Sequence, residues 1–259
     1  MKNIGYWELI KTNPKYRRLW LATVISMLGE WFNTIALFLL IFKYTESEFL
    51  LGILFTVRML CFAFLQPISG LLADRYDRKK IMLWSNIFQI FLALGFLAVD
   101  GPEDIVWMLG LSGIMMLLHG AYVTAERAAL PNLVSKDQLA TANALDAASW
   151  STALCLGAML GGIVVEYFGT DAAFIIDSFT FLISALLLAP LTIPQTFDKD
   201  LEGSLFSTAA SNIRKGWRRI ANETRLLRIV FAKASWNIAG GGLAGVFLVV
   251  AGSDVDGLA

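Results

Sequence analysis

Charge is what this sequence has least of. Lys, Arg, Asp and Glu make up 16% of its 259 residues, whereas 57% are hydrophobic. A soluble domain typically carries about 25% charged and about 45–50% apolar residues, so water is excluded as the solvent for most of this chain and lipid is implied. The 21 basic and 21 acidic residues cancel, so no global field draws the protein to nucleic acid or to an acidic substrate. Histidine occurs once and cysteine twice, which argues against a metal site. Both cysteines, Cys61 and Cys155, fall inside apolar runs and no Cys-x-x-Cys exists, so no disulfide framework is implied. The sequence lacks a Gly-x-Ser-x-Gly elbow, a histidine cluster and a phosphate-binding loop, so an enzyme is not expected and no cofactor is called for. The apolar runs lack period-two alternation and are too long for strands, which excludes a β-barrel. The first polar, basic stretch is long and leads into a full-length span, so it does not read as a cleavable signal peptide.

What is there is a series of long apolar runs. A bilayer-spanning helix needs about 20 mostly apolar residues. Seven stretches qualify: 19–42, 50–72, 81–99, 105–124, 141–165, 172–193 and 229–251. Connections are short through the sixth, and a polar stretch, 194–228, precedes the seventh. The basic residues alternate between loops. Lys2, Lys11, Lys15, Arg17 and Arg18 precede span 1; Arg75, Arg78, Lys79 and Lys80 lie between spans 2 and 3; Arg127 and Lys136 lie between spans 4 and 5. Seven more, from Lys199 to Arg228, lie between spans 6 and 7. The intervening loops carry Glu46, Glu48, Asp100, Glu103, Asp104 and Asp171, with Lys43 the exception. Lys and Arg are held on the cytoplasmic side, which predicts a cytoplasmic N-terminus.

Local signals agree. Asn13-Pro14 reads as an N-cap and first helical residue, so the first helix begins before the membrane. Residues 205–221 place Leu205, Phe206, Ala209, Ala210, Ile213, Trp217 and Ile220 at helical spacing, with Arg214, Lys215, Arg218 and Arg219 crowding the rest. Such a helix either lies on the inner leaflet or is a solvated linker between bundles.

Gly70-Leu-Leu-Ala-Asp74-Arg75-Tyr-Asp77-Arg78-Lys79 resembles the loop 2–3 signature of the major facilitator superfamily, with Asp77 in place of the usual second glycine. The stretches 129–145, 157–169, 172–188, 29–40 and 236–252 resemble its drug-efflux branch, related to macrolide and siderophore exporters. The resemblance covers nearly the whole chain. It implies an all-α membrane protein: the six-helix N-terminal bundle of the fold (1–193), a cytoplasmic linker with an amphipathic helix (194–228), and the first helix of an incomplete C-terminal bundle (229–259). Family members have twelve spans, so the chain is expected to be a half-length form, with a missing C-terminal half as a possible partner.

Several residues stand out against this background. Glu30 lies near the middle of span 1, where an ionisable group costs roughly 2.5–3.5 kcal/mol on insertion scales and is a functional hypothesis by default. Arg58, a third of the way into span 2, differs from it in depth by only about 6 Å at ~1.5 Å per residue. Either Glu30 takes up a proton or a cationic substrate with Arg58 tuning it, or the two form a structural ion pair. Asn33 shares the face of Glu30 and is either a cavity residue or an interhelical hydrogen-bonding group. Asp146 and Asp177 are placed toward span ends where they reach interfacial water. His119, near the inner end of span 4, reads as a hydrogen-bonded packing residue, with a proton relay as the alternative, and Lys233 as a snorkelling one.

The resemblance adds roles. It implies that Asp74 gates a cytoplasmic latch, contacting a span of the second bundle and a basic residue near the end of span 4, a place that Arg127 occupies. Gly70, Arg75, Arg78 and Lys79 complete that motif, although the basic residues also fit lipid anchoring. Gly157, Gly161 and Gly162 resemble the span 5 antiporter motif, with Ala158 where proline is usual; the family reading is a contact with span 8, and ordinary close packing fits as well. The implied function is proton-coupled efflux of amphipathic small molecules by alternating access in the bacterial inner membrane. The alternative is a non-transporting chain that acts as an assembly partner or has no function.

Overall fold

The structure, a computed structural model, describes residues 5–195 and 205–236. Among these residues it contains helices and no strand. The elements are α1 (Tyr6–Thr12), α2 (Pro14–Thr45), α3 (Glu48–Arg75), α4 (Arg78–Gly95), α5 (Ile105–Leu133), α6 (Lys136–Leu188), α7 (Leu205–Asn222) and α8 (Thr224–Trp236). Five of them, α2 to α6, contain stretches long and apolar enough to cross a membrane. Two short 3-10 turns, Phe96–Ala98 and Pro102–Asp104, join α4 to α5.

Polar caps fix where the helices start. The Asn13 side chain accepts from the Tyr16 amide at 3.0 Å, and Pro14 takes the first helical position, where a missing N–H costs nothing. Ser47 caps α3 and Asp77 caps α4, each accepting a backbone N–H. The aspartate that replaces the signature's second glycine is therefore the N-cap of the third membrane helix.

The 53-residue α6 holds two spans. Gly169, at φ +82° and ψ 171°, interrupts it, a conformation that is essentially glycine's alone. Packing shows that the chain reverses there. Along α2, Tyr16 bonds Ala142 and Trp20 bonds Ser149, while Trp31 abuts Gly157 and Phe32 abuts Gly161, so the first arm of α6 runs parallel to α2. Leu19 and Ala22 share a core with Leu188 and Leu191, and Gly29 meets Thr180, so the second arm runs back along it. The predicted spans 141–165 and 172–193 are thus separate membrane crossings, and the bundle has six.

A buried core lies at the end predicted to be cytoplasmic. Leu19, Met82, Tyr122, Ala129, Leu133 and Leu188 join α2, α4, α5 and the second arm of α6. Leu9 of α1, Tyr16, Leu130, Val134 and Ala142 form a second cluster beside it. Large apolar side chains such as Phe49, Phe64, Val106 and Phe168 stay exposed, as a surface meant for lipid requires.

The chain divides into two compact units, Met1–Glu202 and Gly203–Ala259. In the second, the amphipathic stretch 205–221 falls within α7. α8 contains the start of predicted span 229–251, whose residues from 237 onward lie outside the described residues.

Candidate functional site

The interior polar groups of α2, α3 and α5 converge halfway along the bundle. Glu30 and Thr34 are one turn apart on α2 and share a face. The Thr34 hydroxyl donates to the Glu30 carbonyl at 2.8 Å and accepts from Arg58 Nη2 at 3.0 Å. Arg58 Nη1 donates to Ser112 Oγ of α5 at 3.1 Å. The two carboxylate oxygens of Glu30 face different bases: Oε1 lies 3.7 Å from Arg58 Nη2, and Oε2 lies 3.1 Å from His119 Nδ1. His119 in turn sits against the ring of Phe62, with centroids 5.8 Å apart.

Burial separates these groups. The Arg58 side chain is only 6% exposed, whereas the Glu30 and His119 side chains are 20% and 23% exposed. The guanidinium is thus a fixed, inaccessible cation, and the carboxylate–imidazole pair is the accessible edge of the cluster. Glu30 Oε2 and His119 Nδ1 are within hydrogen-bonding distance, while Arg58 lies beside the other carboxylate oxygen. Sequence reasoning paired Glu30 with Arg58 and singled out His119 without joining it to them; it missed Ser112 and Thr34. The spacing of Ser112 and His119, seven residues on one helix, is the signal that could have placed both on the inner face of α5.

Asn33 is fully buried, but neither atom of its amide has a partner. Asp177, expected at an interface, is instead 0% exposed, on the second arm of α6 where it meets α2. Glu126 is a second buried carboxylate that the sequence reading passed over.

At the end predicted to be cytoplasmic, Arg78 organises the charged loop. Its Nε donates to the Ala73 carbonyl at 3.0 Å, its Nη1 to the Ala128 carbonyl of α5 at 2.7 Å, and its Nη2 lies 3.7 Å from Asp74 Oδ1. Gln195 closes the same loop: it accepts from the Arg78 amide and donates to the carbonyls of Ala73 and Tyr76. Asp74 therefore pairs within its own loop, its side chain 57% exposed. Arg127 is exposed, and its acidic neighbours are Glu126 and Asp146. Arg75 and Lys79 are half-buried, and Gly70 has open space around its Cα.

The span 5 glycines do not share one partner. A Cβ on Gly157 would stand 2.7 Å from Trp31 Cβ, and one on Gly161 would stand 3.2 Å from Phe32 Cα, so both glycines serve the close approach of α6 to α2. Gly162 faces open space. Among the described residues, no group of three or more His, Cys, Asp or Glu is placed to hold a metal ion.

Known proteins share this arrangement of sequence. BacE of Bacillus subtilis (strain 168), named for bacilysin export, is 25% identical over 244 residues, 93% of this chain and 59% of BacE. The enterobactin exporter EntS of Salmonella choleraesuis (strain SC-B67) is 30% identical over 197 residues, 72% of this chain and 46% of EntS. The uncharacterized MFS-type transporter YfiS of Bacillus subtilis is 28% identical over 169 residues, 64% of this chain and 40% of YfiS. The chain thus spans about three fifths of the length of BacE, or less of the others. The family model described as Major Facilitator Superfamily matches residues 19–258. With six membrane crossings among the described residues, a charged loop between the second and third, and that match over almost its whole length, the chain is a multi-pass membrane protein belonging to the major facilitator superfamily.

Proposed function

We propose that this chain supplies the N-terminal bundle (1–193) of a proton-coupled exporter of amphipathic small molecules. Residues 194–228 are its cytoplasmic linker and 229–259 begin a further bundle. The exporter sits in the bacterial inner membrane with its N-terminus in the cytoplasm. The observation that carries this reading is the position of Glu30, between the buried Arg58 and the accessible His119 in the bundle interior. A carboxylate is retained at that depth against an insertion cost of several kcal/mol, and the imidazole beside it gives its proton somewhere to go. The exporter relatives support the direction of transport.

In this reading Glu30 loads and unloads a proton, Arg58 holds it in place, and Asn33 lines the cavity. Asp74 is the gate acid, presented outward by a loop that Arg78 has fastened to α5; Gly70, Arg75, Lys79 and Arg127 frame it. Gly162, the span 5 glycine left facing open space, is the one placed for a contact with another helix. The test is ethidium export from everted membrane vesicles under an imposed pH gradient. Glu30→Gln should abolish gradient-driven export at an unchanged protein level. Export equal to that of the wild type removes Glu30 from the mechanism and the proton-coupled reading with it.

A further inference from the structure

Asp177 lies outside the hydrogen bonds of the cluster described above. It is 0% exposed, and neither of its carboxyl oxygens has a hydrogen-bond partner; among the described residues no other carboxylate appears with both oxygens buried and unpaired. It sits where the second arm of α6 comes closest to α2. A Cβ added at Gly29 would stand 2.7 Å from Asp177 Oδ1 and would collide with Thr180 Oγ1. The Thr180 hydroxyl donates to the backbone carbonyl of Asp177 at 2.7 Å, so its proton is already committed. Asn33, one turn along α2 from Gly29, is the other buried group here whose polar atoms all lack partners.

The charges facing Asp177 are Glu30 from α2 and Arg58 from α3. His119 of α5 faces Glu30 and not Asp177. α4 brings only neutral groups to this side, with Asn86 donating to Ser184 of the same α6 arm. Arg58 has its Nη donors on Ser112 and Thr34. A buried carboxylate whose two oxygens lie outside hydrogen-bond geometry, with a second carboxylate nearby, is a costly arrangement. A neutral carboxyl is not: its O–H can turn toward the unpaired Asn33 oxygen.

We propose that Asp177 is a second proton-carrying carboxyl. It holds its proton while α2 and the second arm of α6 are packed at Gly29 and Thr180. When that joint opens, the O–H bond breaks, the proton passes to entering water, and the carboxylate left behind faces Arg58. The proposal rests on the proton-coupled reading above and adds a second exchangeable proton to the cycle.

Infrared difference spectroscopy on the full chain in lipid nanodiscs tests this. The wild-type protein at neutral pH should show the carbonyl band of a protonated carboxyl in dry surroundings. Asp177→Asn, made in a Glu126→Gln background that removes the other buried carboxyl among the described residues, should remove that band, and Glu30→Gln should leave it. A band that survives Asp177→Asn in that background, or one that Glu30→Gln removes, overturns the proposal. Asp177→Glu should move the band without abolishing it, and decides the matter if the asparagine variant does not fold. Gly29→Ala, which forces the joint apart, should shift the band toward a hydrated carboxyl; an unmoved band in the folded variant overturns the release step. The spectrum is read at rest with no gradient, so failure of this proposal and failure of the Glu30 transport test are separate results.

Discussion

Replacing Arg58 by methionine tests the central cluster most directly. The Arg58 side chain is 6% exposed, and its guanidinium donates to Ser112 and Thr34 at 3.1 and 3.0 Å. Hydrogen bonds from a charged donor contribute about 1.5–3 kcal/mol each. Its attraction to Glu30 at 3.7 Å is roughly 4 kcal/mol at an effective dielectric of about 20. Against these stands the desolvation of the guanidinium, several kcal/mol, which methionine does not incur. Removing one member of a buried pair costs about 3–5 kcal/mol, chiefly because the other charge is left alone. Glu30 is one-fifth exposed and keeps His119, so the lower end applies, about 3 kcal/mol for Arg58→Met. Arg58→Met combined with Glu30→Gln removes the orphaned charge and should recover about 2 kcal/mol of that loss. The assay is unfolding by sodium dodecyl sulfate in mixed micelles, followed by the fluorescence of the eight tryptophans. If the double variant is no more stable than Arg58→Met alone, the carboxylate and the guanidinium are not coupled and the cluster is misread.

Two further outcomes follow from packing alone. Gly157→Ala should lower the unfolding midpoint by about 1–3 kcal/mol, because its Cβ meets Trp31 at 2.7 Å, while Gly162→Ala, with open space around it, should change it by less than about 0.5 kcal/mol. Gly169→Ala should cost about 1–3 kcal/mol through backbone strain at φ +82°, read in the same unfolding assay, with Gly162→Ala as the control.

The crossings and the pairing of Glu30 with Arg58 were legible in the sequence because each rests on distance along a helix. Hydropathy delimits the spans, and a fixed rise per residue puts two charges at one depth. His119 was misplaced for the same reason. The apolar run ends at residue 124, but the helix continues through Glu126 and Arg127 to Leu133, so the histidine lies mid-helix and not near an end. Asp177 was misjudged because depth alone does not say which way a side chain points: it faces α2 across a glycine contact that only the packing of two helices reveals. The span 5 glycines illustrate the same gap. A stripe of small residues announces a close neighbour without saying which, and here the neighbour of two of them is α2.

The Gln195 contacts have a mechanical consequence. This residue follows the sixth crossing, yet its amide is knotted to the carbonyls of Ala73 and Tyr76 and to the N–H of Arg78. Next to it, the Asn132 amide grips the Pro194 carbonyl at 2.6 Å. The polypeptide leaves the bundle under no slack, like a rope made fast at the deck edge. A pull on the chain beyond residue 195 is delivered first to the turn between α3 and α4, where Asp74 stands, and to the end of α5. The exit of the sixth crossing and the charged turn behave as one stiff fitting, so a load on one cannot be borne without moving the other.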